Sequence, residues 1–369
     1  MGRLPMPSMS MVKLTASPGQ KKIGKKQKTC SGVFRREIMD HSLQLVLAVN
    51  RFPGCRGWVK WRLLKECRDI RDLAHAAGIY QTWLPSSRKR IDVDALLREA
   101  EVEIRRLRHL NIQCSILGYA DYPMNLSMIS DPPLVLYRRG VVSPNANSCI
   151  AIVGTRRPTA AGLRESYKLG LEFALCGYPV VSGLAFGIDR AAHEGALDGR
   201  GPTWAVLAGG LDRPSPYSHR TLAAAILNNG GALLGEMPPG SFPQKYAFPR
   251  RNRILSGLCR GGVIVQAPKK SGALITADFA LDQGRDIYVG SSGMKGSTFE
   301  GTRNLEQQGA AVVSGAADVL ADWGIIMGVR SVKTLPAPRD AGELARLMRT
   351  ELAGRIFRHT GAWFELQSA

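Results

Sequence analysis

Residues 149–183 read "CIAIVGTRRPTAAGLRESYKLGLEFALCGYPVVSG" and carry the architecture in miniature. Cys149–Gly154 is a short run rich in Ile and Val, Gly162–Gly177 places apolar residues at three- and four-residue spacing, and Pro179–Gly183 is β-rich again. Neither strand alternates apolar with polar residues, so each is buried on both faces, as in a parallel sheet covered by helices. The alternation continues outward. "GIDRAAHEGAL" (187–197) is helical, "TWAVLA" (203–208) precedes "SHRTLAAAILNNG" (218–230), and "ALLGE" (232–236) precedes a basic stretch ending in a helical pattern. "GGVIVQA" (261–267) precedes "LITADFALDQG" (274–284), "DIYVG" (286–290) precedes "TRNLEQQG" (302–309), and "AAVV" (310–313) precedes "AADVLADWG" (316–324). The fold class is therefore α/β, a doubly wound, mostly parallel sheet whose ligand site lies at the carboxyl ends of the strands.

The flanks differ. From Leu43 to Arg108 four apolar-periodic segments, punctuated by Gly54, Gly57, Gly78 and Pro85, predict a small helical domain of a SAM or helix-hairpin-helix kind. Within it "FPGCRG" (52–57) reads as an interhelical turn, with a backbone-phosphate hairpin as the alternative. Residues 1–38 are basic and lack the apolar region of a secretory signal; a basic arm without secondary structure is expected, with a transit peptide or a start at Met39 as alternatives. The expected divisions are 1–38, 39–108, 109–325 and 326–369. The last is a linker and one amphipathic helix with Leu344, Leu347, Met348, Leu352 and Ile356 on one face, at most a rudimentary winged helix.

Lys and Arg number 50 against 30 Asp and Glu, a formal charge of +20 that points to a polyanion, nucleic acid before membrane. No apolar run approaches the ~20 residues of a membrane span. Seven cysteines without a CxxC pair or zinc-ligand spacing predict free thiols in a reducing cytoplasm and no metal.

The strand-end loops then supply the chemistry. After the first strand comes "GTRRP" (154–158), which is not GxGxxG; Arg156 suits a phosphate approaching from outside the loop, and a nicotinamide dinucleotide is disfavoured. "VVSGLAFGIDRAAHEGAL" (180–197) holds Ser182, Asp189 and His193, yet without a GxSxG elbow. Asp189 is expected to cap the helix it opens, with His193 facing back toward that cap, while Ser182 and Gly183 donate to a phosphate. "KYAFPRRNRILSGL" (245–258) lies in a stretch from Met237 to Ala277 without a carboxylate, which leaves Lys245, Arg250, Arg251 and Arg253 unbalanced. These cations interleave with Phe242, Tyr246 and Phe248, a pattern suited to single strands, where cations track phosphates and rings stack on bases. Arg253 has two readings, bracing the loop or touching a phosphate. Ser271 and Gly272 open a further helix and offer another anion site.

In this order, "YADYPMNLSMISDPPLVLYRRG", "IAIVGTRRPTAAG", "VVSGLAFGIDRAAHEGAL", "FPRRNRILSGLCRGGVIVQA" and "SGALITADFALDQGRDIYV" resemble the bacterial DNA-processing protein A family, also called DprA or Smf, over Asn111 to Asp322. The resemblance implies an extended Rossmann domain that binds single-stranded DNA without hydrolysing it. It further implies protection of incoming DNA in natural transformation, transfer to the recombinase RecA with displacement of single-strand binding protein, and a homodimer. It places the family's glycine-Ser-Arg loop on Gly154, Thr155 and Arg156, its phosphate and base contacts on Lys245 and Phe248, and its FPxRNR motif on Arg250, Asn252 and Arg253. The chain departs from the family at Ser215–Pro216, at Gln266 in place of a Glu, at "VGSSGMKG" and at "TRNLEQQG". The function expected is RecA loading onto single-stranded DNA, with no enzyme activity and no cofactor. A nucleotide-processing enzyme of the phosphoribohydrolase kind is the alternative, disfavoured by a basic stretch lacking the acid or base that glycosidic cleavage needs.

Overall fold

The computed structural model describes residues 42–83, 91–142, 149–296, 299–325, 332–352 and 356–366. The expectations for residues 1–38 lie outside the described residues. Four helices come first: α1 (Leu43–Asn50), α2 (Gly57–Glu66), α3 (Ile70–Trp83) and α4 (Val93–His109). Ser42 and Asp92 cap α1 and α4 by accepting the backbone N–H of Leu45 and Ala95. "FPGCRG" is the turn between α1 and α2, with Gly54 at φ 75°.

Strands β1 (Gln113–Ile116) and β2 (Val135–Gly140) flank the short α5 (Met124–Ser127). The alternating region follows as β3 (Ile150–Val153), α6 (Ala160–Leu175), β4 (Val180–Ser182), α7 (Ile188–Asp198), β5 (Thr203–Leu207), α8 (Arg220–Asn228) and β6 (Ala232–Gly235). It continues through α9 (Ala247–Leu258), β7 (Gly261–Ile264), α10 (Gly272–Asp282), β8 (Asp286–Gly290), α11 (Glu300–Gln307), β9 (Ala311–Val313) and α12 (Ala316–Asp322). The strands β1 to β9 form one nine-stranded sheet in the order β1-β2-β6-β5-β4-β3-β7-β8-β9. The pairs from β6 to β9 are parallel, while β1/β2 and β2/β6 are antiparallel. The fold is thus the expected mostly parallel α/β sheet with a helical N-terminal region. β1 and β2 escaped the pattern reading because four residues give too little periodicity and because "VLYRRG" ends in two arginines and a glycine.

Every residue of β3 to β7 is buried, which accounts for their unbroken apolar character. On one face Ile152, Phe173, Ile188, Val263 and Val319 pack with others under α6, α7 and α12. Helices α6 and α7 approach closely because each has a glycine at the crossing: a Cβ on Gly170 would lie 2.2 Å from the Ala192 carbonyl oxygen, and one on Gly195 2.0 Å from that of Tyr167. On the other face a single core runs from Leu47 and Leu107 of the N-terminal helices to Leu136, Val206, Leu234 and Leu255.

The C-terminal region corrects one expectation. It holds β10 (Val332–Leu335), α13 (Ala341–Leu352), β11 (Ile356–His359) and β12 (Ala362–Leu366), the strands forming an antiparallel sheet in the order β10-β12-β11. The supposed linker contains β10. The apolar face does not extend as counted, since Leu352 is 89% exposed and Ile356 lies in β11, beyond the helix. The sheet packs on α6 and α7: Val332 and Phe364 share a core with Tyr167, Leu171 and Ala191, and the Val332 N–H donates to Glu172 at 2.9 Å.

Candidate nucleic-acid interface

The strand order reverses between β3 and β7, the neighbouring parallel strands from which the chain departs in opposite directions. At their carboxyl ends lies a cleft of about 610 Å³, within the range of small-ligand sites. One wall is the Gly154–Thr159 loop, which Gln266, buried just beyond β7, braces from behind. The Gln266 backbone carbonyl accepts the Thr155 N–H at 2.7 Å, its side-chain oxygen accepts the Thr159 N–H at 3.0 Å, and its amide donates to the Thr159 hydroxyl at 2.9 Å and the Ser292 carbonyl at 3.2 Å. An ionised Glu here could make none of the donations, so the amide suits a neutral staple holding the Gly154–Thr159 loop. Thr159 in turn caps α6 by accepting the Gly162 N–H at 3.2 Å. The loop is thus fixed while Arg156 and Arg157 extend from it, both exposed.

The opposite wall is the start of α10, where the Ser271 hydroxyl accepts the Ala273 N–H. Gly272 and Lys270 also line the cleft. The positive end of this helix therefore borders the same space. The start of α9 supplies the third wall, with Phe248, Pro249, Arg251 and Asn252. The Arg156 guanidinium lies over the Phe248 ring, 5.6 Å from its centroid, joining the two walls. Asn252 donates its amide to the Gly272 carbonyl at 3.1 Å, joining α9 to α10.

Arg251 forms the floor. It is 8% exposed, lines the cleft, and its Nε and Nη1 have no hydrogen-bond partner within the protein. Space for it exists because residue 183 is glycine: a Cβ there would fall 1.9 Å from Arg251 Nη1. Burial holds the Arg251 pKa below its ordinary value, opposed by nearby Asp189, with Arg156 adding to the depression. The Asp189 carboxyl is displaced upward by burial, against the pull of Arg251 and of two backbone N–H groups. Asp189 is the only carboxyl among the described residues lining the cleft, facing Arg156, Arg157, Arg251 and Lys270. The cleft therefore attracts anions.

Of the sequence-predicted positions, the cleft brings together Gly154, Thr155, Arg156, Phe248, Arg251, Asn252, Ser271 and Gly272. Lys245 stands outside this lining, exposed just before α9. Two others need correction as direct contacts, and Arg253 takes the bracing one of its two readings. Ser182 is fully buried and gives its hydroxyl to the Ile152 carbonyl at 2.6 Å, and the Gly183 N–H goes to Asp189 at 3.0 Å, so both donors are committed below the surface. Arg253 is 6% exposed and braces the loop, its Nη2 2.6 Å from Glu236 and its Nε 3.6 Å from Asp131. Arg250 also donates to Glu236 at 3.1 Å, though its side chain is half exposed. The basic stretch is therefore balanced in part, by Glu236 just ahead of it in sequence and by Asp131 far from it. Lys269, from the same stretch, pairs with Glu300 at 2.9 Å.

The capping expectation fails as well. The residue before α7 is Gly187, and Asp189 turns back to accept from Gly183 and Ala185, tightening the loop ahead of the helix. His193 is fully buried with Nδ1 2.7 Å from the Thr203 hydroxyl. Ser182, Asp189 and His193 are each bonded elsewhere and form no hydrolytic relay. Pro158 and Phe299 also line the cleft and carried no readable signal in the sequence, while Lys270, beside the Ser271 cap, was readable only as one more cation of the basic stretch.

The model of the family described as DNA recombination-mediator protein A matches residues 113–324. The chain belongs to this family. It is 38% identical over 269 residues to the DNA processing protein DprA of Bacillus subtilis, covering 70% of this chain and 88% of that protein. With DprA of Streptococcus pneumoniae it shares 39% identity over 204 residues, 55% of this chain and 71% of the relative. Among solved structures, the Streptococcus pneumoniae protein superposes with a TM-score of 0.56 at 30% identity, over 78% of this chain and 95% of the other. DprA of Helicobacter pylori, whose structure concerns its single-stranded DNA binding mode, gives 0.52 at 28% identity over 57% and 95%. Among the described residues no helix is long and apolar enough to cross a membrane.

Proposed function

We propose that this chain binds single-stranded DNA in DNA processing and recombination, and that it delivers the strand to a RecA-type recombinase. The observation that carries the binding is the buried Arg251 guanidinium, with two nitrogens unpartnered, on the floor of a cleft with one carboxyl and four cationic side chains. A buried charge without a partner is costly, and a phosphate oxygen relieves that cost by charge-assisted hydrogen bonds. In this reading Arg156 and Lys245 hold phosphates, Phe248 stacks on a base, and Gly154, Ser271 and Gly272 bring backbone N–H groups to the strand, while Thr155, its own N–H given to Gln266, shapes the loop. Family membership and the relatives' printed DNA-processing role support it.

Transfer to RecA, displacement of single-strand binding protein, homodimer formation and a role in natural transformation rest on family membership. RecA filament growth on strands covered by single-strand binding protein, with and without this chain, tests the transfer; equal rates would remove it. For binding itself the test is Arg156→Ala combined with Lys245→Ala in a gel shift. Loss of two charge-assisted contacts is expected to weaken binding at least ~100-fold. With roughly three contacted phosphates, log affinity falls with log salt at a slope of about −2. Retained affinity in the double variant would move the site elsewhere.

The phosphoribohydrolase alternative has one observation in its favour, the upward-displaced Asp189 carboxyl at the cleft. Release of free base from nucleoside monophosphates, abolished by Asp189→Asn, would establish it. We expect no release, because one Asp189 oxygen is taken up by two backbone N–H groups.

A further inference from the structure

Two aromatic rings beyond the cleft repeat its Arg156–Phe248 arrangement. The Arg213 guanidinium lies 4.4 Å from the centroid of Phe242, and that of Arg220 lies 4.5 Å from the centroid of Tyr217. Arg213, Tyr217 and Arg220 follow β5, and Phe242 follows β6, so both pairs stand at carboxyl ends of parallel strands in the same sheet as the cleft. The strand order places β3, β5 and β6 along one edge of the sheet, over roughly 14 Å at ~4.8 Å per strand spacing. The rings are unusually open: Phe242 is 64% exposed and Tyr217 75%. Each has a cation beside the ring and most of its surface open.

That geometry is a repeated unit for one nucleotide. A base can stack on the exposed ring while a phosphate takes the neighbouring guanidinium, as cations and rings divide the work in sequence-tolerant single-strand binding. The loops bearing the pairs are held in place. The Gly210 N–H donates to the Ser241 carbonyl at 2.9 Å, the Gly240 N–H to Asp212 at 2.8 Å, and His219 Nδ1 lies 2.8 Å from the Leu184 carbonyl oxygen. Asp212 also sits 3.8 Å from Arg213, which leaves that guanidinium half exposed.

We infer that the single strand does not end in the cleft but continues along the sheet edge, stacking successive bases on Tyr217 and Phe242 beside Arg220 and Arg213. This rests on the single-strand reading of the cleft and extends it to a path of several nucleotides. The test compares anisotropy with labelled oligothymidylates of about six and about twenty nucleotides, lengths that bracket a typical site. Phe242→Ala and Tyr217→Ala each reduce affinity for the long strand by about fivefold or more and leave the short strand unchanged, while Tyr217→Phe retains long-strand affinity. Photocrosslinking of strands carrying 5-iodo-deoxyuridine marks both rings by mass spectrometry. Unchanged long-strand affinity in both alanine variants without a crosslink at either ring overturns the path. So does an equal loss on short and long strands. If the wild-type chain binds both lengths in those cases, the cleft reading survives; if it binds neither, both readings fall.

Discussion

Arg251 shows how much one position depends on its neighbours. The sequence places it in a run of arginines with nothing to tell it from Arg250, and both read alike as cations for a strand, while Arg253 alone had the second reading of a brace. In the fold the helical turn sends them apart: Arg250 half out toward Glu236, Arg253 inward to Glu236 and Asp131, and Arg251 into the cleft over Gly183. His193 is a second residue whose reading changed. Burial lowers its pKa from the ordinary 6.5 to about 3, with nearby His219 and Arg251 adding to the depression and Glu194 opposing it. Because the folded value is depressed, the unfolded chain binds the extra proton; the stability is present above pH 6.5 and is lost as pH falls toward 3. Urea unfolding of the wild type should therefore weaken on acidification by up to ~1.4 kcal/mol per pH unit more than that of a His193→Gln chain. Parallel acid limbs in the two chains would contradict a neutral buried His193.

At the scale of elements, α9 is fastened by a carboxylate that the basic stretch itself lacks. Glu236, at the end of β6, accepts from both Arg250 and Arg253. Glu236→Gln removes the charge opposite a buried guanidinium and is expected to cost about 1–3 kcal/mol of stability in thermal unfolding. It also frees the exposed Arg250 and makes this rim more positive, so single-strand affinity at low salt should rise by about a few-fold. Stability and affinity moving together in the variant would argue against Glu236 as a brace. The strands and helices from β3 to α12 were legible because each has its own period and its own glycine or capping punctuation. The pairing of α9 with Glu236 and Asp131 was not, because it joins residues 14 to 122 positions apart, and neither sequence spacing nor charge runs report such distances.

For the whole molecule the decisive fact is that the N-terminal helices and the sheet share a core. Leu47, Leu97 and Leu107 pack in the same cluster as Leu136, Val206 and Leu234. The Tyr137 hydroxyl donates to Glu103 of α4, which also pairs with Arg51 at 2.6 Å. A chain beginning at residue 109 would leave this face of the sheet uncovered, a large apolar patch of the kind that drives aggregation. It should be recovered mainly in the insoluble fraction. A soluble product with one cooperative melting transition would show that the helices are separable. The C-terminal sheet is held by α6 and α7, where His359 stacks on Tyr167 at 4.2 Å and lies 2.6 Å from Glu194.

The sequence by itself determined the α/β class, the strand–helix alternation, the strand-end location of the candidate site and its anionic preference, because these follow from local periodicity and from loop composition. Residues such as Arg156, Phe248, Ser271 and Gly272 were legible for that reason. Only the tertiary structure decided which members of the arginine run face the cleft, that Ser182 and Gly183 spend their donors inside, and that the basic stretch has counter-charges in Glu236 and Asp131. Those outcomes depend on burial and on partners distant in sequence. Burial against Glu236 and Asp131 turns Arg253 into a brace, and burial over Gly183 turns Arg251 into the floor of the cleft.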